Sequence, residues 1–405
     1  MFVLAFAVVG TALLIASRAA TSSNVSLEAE NGTVSGGALV TTDTSASGSK
    51  AVKFAHLTTL KPQVKGAVDR DGYDTSVDTT KTNLRVPATY QSIVNNFVLM
   101  VDWSKLQPTS STSFNTAIID DAISEAKAKD MRIKLRVLSG IHAPTWVKNI
   151  DGGPFDVYDI DGTTGEVFTG TSPKYWTDNY RTAYTNLMTK LADKYDNEDT
   201  ILSVANSMCT TIFAEPFIKN LDEGNNMTSF FAAGMTTDLD KQCHNNSIDV
   251  HAAWKRTRTE TALNPLSYKG VDTAGNPIEK FDPDFTIAWV RRCRSVLGDR
   301  CIMGNNGFNA TAMGLNLRKV IGEVICQGNP PNYYQTRQQA VIVSSGKTLA
   351  DVLKYAVDAG AGMVELPVQY RTTAITPEAL APYDTALEKN NAIPCPADRL
   401  VPNPS

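Results

Sequence analysis

The sequence predicts an α/β protein, a (β/α)8 barrel with a short β-rich extension at its N-terminus. Three observations predict this fold. Strand-like and helix-like segments alternate from residue 61 onward, which is typical of a parallel sheet with helical crossovers. The roughly 340 residues of that region are enough for a barrel with long loops. No GxGxxG follows an early strand, which disfavours the competing doubly wound sheet.

Composition and charge narrow the class of protein. The chain has 405 residues, of which 42% are hydrophobic and 20% charged, with 38 Lys and Arg against 42 Asp and Glu. This much apolar surface can build a large core, so the chain is not intrinsically disordered. Binding a phosphate backbone needs a clustered positive surface, and no long basic run is present. We therefore expect no nucleic-acid partner.

Residues 1–20 predict an export signal or a membrane anchor. Residues 2–16 are apolar apart from Gly10 and Thr11, and the small residues Ser17 and Ala19 follow. A helix of this run is only ~22 Å long, short of the ~30 Å hydrocarbon core of a bilayer. We expect a protein that is secreted, or anchored to the outer face of the cell membrane, with this segment contacting the membrane in the second case.

Residues 21–60 predict a spacer rich in Ser, Thr and Gly that contains a β-strand fragment. The stretch SLEAENGTVSGG, followed later by GSKAVKF, resembles the beginning of a family 6-type carbohydrate-binding module. Because only a short part of such a module is matched, we expect a spacer or an appended pair of strands. The barrel then occupies residues 61–395, and residues 396–405 form a C-terminal tail.

The cysteines predict an oxidising compartment. They are Cys209, Cys243, Cys293, Cys301, Cys326 and Cys395. An even number is typical of exported proteins with disulfides. Cys293 and Cys301 flank a short turn and could link a helix end to the next strand, while Cys209 and Cys243 could close the loop between them; ordinary buried thiols are the alternative. No CxxC spacing occurs, so we expect no zinc site. We also expect no cofactor.

The barrel strands and helices follow from hydrophobic periodicity. Candidate strands are Gln63–Asp69, Phe97–Trp103, Arg132–Leu138, part of Ile201–Glu215, Thr257–Leu263, Cys301–Asn305, part of Val324–Thr336, and Gly362–Leu366. Amphipathic helices are predicted where apolar residues recur at helical spacing, around Ile118–Ala126, Tyr180–Leu191 and Leu349–Val357.

Functional groups of such barrels lie at the C-terminal ends of the strands. Glu215 and Glu365 stand at the ends of predicted strands, close to Pro216 and Pro367. A carboxylate in an apolar strand end costs several kcal/mol unless it is solvated or paired. Hydrolysis of a glycoside needs two carboxyl groups, one protonated and one ionised. The alternative is a structural ion pair with a barrel arginine such as Arg136, and for Glu365 both interpretations stay open.

Four segments then resemble the clan A glycoside hydrolases, the cellulase and β-galactosidase type of (β/α)8 barrel. They are the run 97–108, the helix with Ile119-Asp-Asp-Ala-Ile123, the strand 133–137 with His142-Ala-Pro-Thr-Trp146 after it, and Ala214-Glu215-Pro216. These enzymes carry Asn-Glu-Pro at the fourth strand, so the resemblance implies that Glu215 is the general acid/base. Ala214 replaces the family's asparagine, which hydrogen-bonds the sugar 2-hydroxyl.

The family's nucleophile is a glutamate that ends the seventh strand. If 257–263 is helical, Glu365 ends the seventh strand and matches that position. If 257–263 is a strand, Glu365 ends the eighth, and the seventh finishes near Gln335-Thr336 without a carboxylate. We predict Glu365 as the nucleophile, with Glu323 and Asp102 as reserve carboxylates.

Substrate-binding residues are predicted from the remaining strand ends. Trp103, Trp146 and Tyr370 offer aromatic faces for sugar rings, although core positions are the alternative. Arg136, His142, Asn306 and Gln335 offer hydrogen-bonding groups for hydroxyls, or else satisfy turns. Together these residues predict a monomeric retaining glycoside hydrolase with a β-linked carbohydrate substrate. A carbohydrate-binding barrel without catalytic activity is the alternative.

Overall fold

The computed structural model describes residues 38–54, 59–76, 83–160, 165, 167–326, 332–372, 374–390 and 398–404. The chain divides into two units, residues 1–59 and 60–405. In the first unit, Ala38–Thr42 pairs antiparallel with Lys50–Phe54. This is a strand pair of the kind expected within 21–60, whereas the apolar run of 1–20 lies outside the described residues. The resemblance to a carbohydrate-binding module stays a prediction.

The second unit is a (β/α)8 barrel, as the sequence predicts. Eight strands close into one sheet in chain order, and each is parallel to its neighbours. From the first to the eighth they are Gly66–Asp69, Asn96–Asp102, Arg132–Leu138, Ile201–Ala205, Arg258–Ala262, Cys301–Phe308, Asn332–Thr336 and Met363–Leu366. The region 257–263 is therefore a strand, and Glu365 belongs to the eighth strand.

A helix of at least ten residues follows every strand from the second to the eighth. These helices are Ala117–Ala128, Asp178–Tyr195, Thr237–His251, Pro283–Leu297, Leu315–Cys326, Leu349–Asp358 and Pro377–Lys389, and shorter ones span Trp103–Leu106, Thr145–Lys148, Asn226–Ala232 and Gln339–Ser344. The predicted apolar faces are buried, for example Tyr180, Leu187 and Leu191. Each such side chain contributes roughly 1.5–3 kcal/mol of burial, which holds the helices on the outside of the sheet.

Two antiparallel hairpins extend the loops at the C-terminal end of the barrel. Phe155–Ile160 pairs with Val167–Ser172 after the third strand, and Leu266–Val271 pairs with Pro277–Asp282 after the fifth. Both hairpins therefore stand on the side of the barrel where functional groups are expected. None of the helices in the described ranges combines the length and the apolar character needed to span a bilayer.

Both cysteine pairs that the sequence offered as possible disulfides are bonded in the structure. Cys209 is bonded to Cys243, which are 34 residues apart, and Cys293 to Cys301, which are 8 apart. The second bond links the helix Pro283–Leu297 to the start of the sixth strand. Cys395 and the side chain of Cys326 lie outside the described part of the chain.

Candidate active site at the barrel mouth

Glu215 lies in a loop and not at a strand end. The fourth strand stops at Ala205, so the expectation that it reaches Glu215 is wrong. The apolar run continues beyond the strand because residues 206–217 are packed as a buried loop, with most of their side chains inaccessible to solvent. Three separate contacts fix this loop.

The disulfide Cys209–Cys243 ties the loop to the helix Thr237–His251. The carbonyl oxygen of Thr211 accepts a hydrogen bond of 2.7 Å from the amide of Ile141. Beside it, Gly140 has a φ of +59°, and a Cβ there would lie 1.9 Å from the Thr211 oxygen. Only glycine fits this position, because the backbone conformation and the close approach both exclude a side chain.

The carboxyl group of Glu215 lies half-buried at the mouth of the barrel. Its Oε1 accepts a hydrogen bond of 3.3 Å from Nδ2 of Asn306, at the end of the sixth strand. Burial raises the pKa of Glu215, although the Asn306 hydrogen bond and the charges of Arg337 and Arg136 act in the opposite direction. A carboxyl group with a raised pKa retains its proton more readily and suits a general acid.

A small cleft opens beside Glu215, with an empty volume of about 280 Å³. It is lined by Tyr158 and Asp159 of the hairpin, by Thr211, Ile212, Phe213, Glu215 and Ile218 of the loop, and by Lys219 and Asn220. The Phe213 ring is 45% exposed and packs edge-on against Phe168 of the hairpin. The cleft therefore has both polar and aromatic walls.

Glu365 is fully buried inside the barrel. Both of its carboxylate oxygens accept hydrogen bonds from Nη2 of Arg136, at 2.7 and 2.9 Å, and Nζ of Lys134 lies 2.6 Å from Oε1. Burial by itself raises the pKa of Glu365, but the two cations overcome it and lower the pKa to about 2. The ion pair with Arg136 is the alternative that the sequence left open.

The strand count separates Glu365 from the family's nucleophile position. The seventh strand ends at Gln335-Thr336, and neither residue has a carboxylate. Glu365 pairs in register with Gln335 from the neighbouring eighth strand. Glu365 therefore does not occupy the family's nucleophile position at the end of the seventh strand. Its role in catalysis stays a prediction.

Lys134 and Glu260 belong to this candidate site, although neither is among the residues predicted from the sequence. Nζ of Lys134 forms ion pairs with both Glu260 and Glu365, and all three side chains are inaccessible to solvent. The same ammonium group lies 3.6 Å from the ring centroid of Tyr333. The sequence did contain an indication of this charged cluster. Lys134 and Arg136 are two residues apart in the third strand, so their side chains point to the same face of the sheet.

Five of the predicted residues are brought together by these contacts. Arg136 reaches Glu365 through Nη2 and donates from Nη1 to Oε1 of Gln335 at 3.3 Å. Asn306 binds Glu215. These contacts form two groups at the barrel mouth, Arg136 with Glu365 and Gln335, and Asn306 with Glu215; Asn306 and Gln335 are paired in register on the neighbouring sixth and seventh strands.

Two predicted aromatic residues belong to the core instead. Trp103 is 0% exposed, donates from Nε1 to Gln107, and packs edge-on against Trp146. Tyr370 is also 0% exposed and donates from its hydroxyl to Asp69 at 2.7 Å. The stacking prediction is wrong for these two residues, because neither ring has an accessible face. Trp146 is only partly buried and stays a candidate.

Asp102, at the end of the second strand, and His142, in the turn after the third strand, form a separate pair. Nδ1 of His142 lies 3.0 Å from Oδ1 of Asp102, and both side chains are partly exposed. The hydrogen bond from His142 lowers the pKa of Asp102 in spite of burial. Asp102 lines a wider cleft of about 640 Å³, whose other walls include Asp71, Arg85 and Lys105.

Glu323 is not available at the mouth. It lies on the outer helix Leu315–Cys326, where its Oε1 accepts a hydrogen bond of 2.8 Å from Arg291. Its reserve role is therefore wrong. Within the described ranges, His, Cys, Asp and Glu side chains form no group of three or more that could hold a metal ion.

The fold and the site thus define a (β/α)8-barrel protein with charged groups inside its C-terminal mouth. No known family profile matches the sequence, and no curated protein is significantly similar to it. Among solved structures, the chain is similar to the catalytic domain of a β-amylase from Paenibacillus polymyxa, with a TM-score of 0.46, 8% identity, and coverage of 72% of this chain and 91% of that one.

Two further similarities are of the same order. A xylanase from Cellvibrio japonicus has a TM-score of 0.46 and 13% identity, over 85% of this chain and 77% of that one. An endoglucanase from Pseudomonas stutzeri has a TM-score of 0.42 and 10% identity, over 82% of this chain and 95% of that one. Likenesses this distant do not indicate the chemistry of this chain, which has to be inferred from its own residues.

Proposed function

We propose that this protein is a glycoside hydrolase that cleaves a β-linked oligosaccharide or polysaccharide with two carboxyl groups. The observation that carries the proposal is the contrast between Glu215 and Glu365. Burial raises the pKa of Glu215, whereas Arg136 and Lys134 lower that of Glu365 to about 2. Glycoside hydrolysis requires such a contrast, because one carboxyl group donates a proton while the other is ionised.

In this proposal, Glu215 donates its proton to the glycosidic oxygen as the bond to the anomeric carbon breaks. Glu365 attacks that carbon and forms a glycosyl ester. Water, deprotonated by Glu215, then hydrolyses the ester with overall retention of configuration. Asn306 orients Glu215, and Gln335 and Arg136 provide polar contacts for the sugar. His142 and Trp146 are proposed to bind more distant sugar units.

The proposal includes export of the protein and action as a monomer. The two disulfides support export, because such bonds persist mainly in oxidising compartments. Export would use residues 1–20, either as a cleaved signal or as an anchor at the outer face of the membrane.

A carbohydrate-binding barrel that does not cleave its ligand is the second candidate. The observation that favours it is the burial of Glu365, which is 0% exposed and bonded to Arg136 through both carboxylate oxygens. A nucleophile must reach the anomeric carbon, so Arg136 would have to move aside before Glu365 could attack.

Turnover of a panel of aryl β-glycosides and β-linked oligosaccharides tests the proposal. We expect Glu215→Gln to lower kcat by about 10²- to 10⁴-fold on substrates with poor leaving groups, since general acid catalysis contributes about that much. The matched control is Glu378→Gln, an exposed glutamate on the last helix, which should keep full activity.

Three outcomes decide between the candidates. Unchanged turnover in Glu215→Gln would refute its role as the acid. Loss of turnover in Glu365→Gln that is still folded at the assay temperature by far-UV circular dichroism, together with retained configuration of the wild-type protein's first product by NMR, would support the nucleophile. Binding of oligosaccharides by the wild-type protein without any turnover would favour the binding barrel.

A further inference from the structure

Charged side chains of both signs meet at the barrel mouth. Lys134 and Arg136 neutralise Glu260 and Glu365, the two carboxylates inside the barrel. Arg70 adds a third cation directly after the first strand. Its Nη1 donates to the carbonyl oxygen of Thr336 at 2.9 Å, and no carboxylate of the described residues forms an ion pair with it.

The carboxylates nearest to Arg70 in sequence are already paired. Asp69 accepts hydrogen bonds from Arg371 on both oxygens, at 2.8 and 2.6 Å, and Asp71 forms an ion pair with Arg85. The pKa of Arg70 is lowered, mainly by burial and further by the charge of Arg136, although the charges of Glu365, Asp69 and Asp71 act in the opposite direction. Arg136 donates to the side chain of Gln335 and Arg70 to the carbonyl oxygen of the next residue, Thr336, so the two like charges lie near each other at the end of the seventh strand.

One hydrogen-bond donor of Arg136 has no acceptor among the described residues. This donor is Nε, and Arg136 is only 5% exposed. A buried donor without a partner costs about 1–3 kcal/mol. Planar guanidinium groups match anionic oxygens with paired hydrogen bonds, so an anionic group at this place would satisfy the donor and relieve the repulsion.

A third arginine stands at the rim. Arg337 follows the seventh strand directly, is exposed, and donates from Nε to the carbonyl oxygen of Gly307 at 3.1 Å. It also has no ion pair with a carboxylate of the described chain, and its charge acts on Glu215. The cations thus extend from the interior, at Arg136, to the surface, at Arg337.

We infer that the barrel mouth binds a saccharide that carries an anionic group, held by Arg70 and Arg136, with Arg337 attracting it from the rim. The inference rests on the proposed function in taking a saccharide as the ligand. It adds the substrate class, namely an acidic carbohydrate such as a uronic acid chain or a sulfated chain.

Isothermal titration calorimetry with three β-linked tetrasaccharides tests the inference. One carries carboxylates, one carries sulfate groups and one is neutral. The protein is the Glu215→Gln variant, so that turnover does not consume the ligand. We expect at least one acidic tetrasaccharide to bind 10-fold or more tightly than the neutral one, with an affinity that falls between 50 and 500 mM salt because screening weakens exposed charge interactions.

Variants of Arg70 locate the binding. Introducing Arg70→Gln into the Glu215→Gln protein should raise the Kd for the acidic ligand by about 10- to 100-fold, as expected for loss of a charged hydrogen bond. Arg70→Lys keeps the charge without the planar fork and should give an intermediate Kd. The matched control is Arg132→Gln, on the third strand at the opposite end of the barrel, where Arg132 pairs with Asp130; it should leave Kd unchanged.

Equal or tighter binding of the neutral ligand would overturn the inference. So would an unchanged Kd in Arg70→Gln, or no binding of any of the three ligands. The inference and the proposed function fail on different results. Turnover of neutral glycosides that depends on Glu215 would support the hydrolase and contradict the acidic substrate. Tight binding of acidic ligands without turnover would leave the binding site without the hydrolase.

Discussion

Replacing Lys134 with methionine would remove the ammonium group that two buried glutamates share. Glu365 would keep its hydrogen bonds to Arg136, but Glu260 would lose the one ion pair that it forms among the described residues. Removing one partner of a buried ion pair typically costs about 3–5 kcal/mol. We therefore expect the free energy of unfolding of Lys134→Met to fall by about that amount at pH 7.

The free energy of unfolding should depend on pH in opposite directions in the wild-type protein and in Lys134→Met. In the wild-type protein the pKa of Glu365 is lowered to about 2 from 4.5, so its stabilising effect is present above about pH 4.5 and is lost as the pH falls toward 2. In Lys134→Met, a proton can replace the ammonium group on a buried carboxylate. The folded state then binds more protons than the unfolded chain, and the variant should become more stable as the pH falls from 7 to 5.

Urea unfolding at pH 5 and pH 7, followed by far-UV circular dichroism, measures both effects. Lys127→Met is the matched control, because Lys127 pairs with Glu198 at the surface, where an ion pair contributes about 1 kcal/mol or less. Adding Glu260→Gln to Lys134→Met should recover part of the loss, since one uncompensated charge is gone. A loss below about 1 kcal/mol in Lys134→Met at pH 7 would refute the reasoning.

Three further predictions concern the supports of the site and of the barrel. Gly140→Ala should lower kcat more than 10-fold while the far-UV spectrum is unchanged, because the Cβ would lie 1.9 Å from the Thr211 oxygen and displace the loop that carries Glu215; wild-type kinetics would contradict this. Replacing Cys209 and Cys243 with serine opens a loop of 34 residues and should cost roughly 3–4 kcal/mol in urea unfolding, whereas an unchanged midpoint would count against the disulfide. Burial raises the pKa of Asp384 from 3.8 to about 6, so ionisation of this group lowers the stability of the protein as the pH rises from about 4 to 6. Asp384→Asn should therefore raise the free energy of unfolding at pH 7.5 by about 1–2 kcal/mol. No gain in stability would show that the pKa of Asp384 is ordinary.

The barrel itself could be predicted because its strands are local patterns. Arg132–Leu138 has the predicted bounds, since its apolar residues alternate with charged ones and helical segments flank it. The segment 257–263 left two possibilities, strand or helix, because its polar residues lack a clear period. Its pairing with the fourth and sixth strands makes it a strand, and that pairing is not visible in the segment itself.

The errors at the site have a common physical cause. The sequence placed Glu215 at the end of the fourth strand, which stops ten residues earlier at Ala205, and it placed Trp103 correctly next to the end of the second strand but with the wrong side-chain environment. Residues 206–215 look like a continued strand because they are buried, yet they form a loop held by a disulfide and by Gly140. Trp103 turns into the core because the short helix Trp103–Leu106 begins directly after the second strand. Burial of a residue can be predicted locally, whereas the direction of its side chain depends on what packs against it.

The sequence by itself determined the alternation of strands and helices, the class of fold, the two possible disulfides and Glu215 and Glu365 as candidate catalytic residues. Only the tertiary structure decided that Glu365 is held by Arg136 and Lys134, and that Glu260 shares the same lysine. These groups come from the third, fifth and eighth strands. Hydrophobic periods are read over a few neighbouring residues, but an ion pair across a barrel depends on closure of the sheet and on the stagger of distant strands.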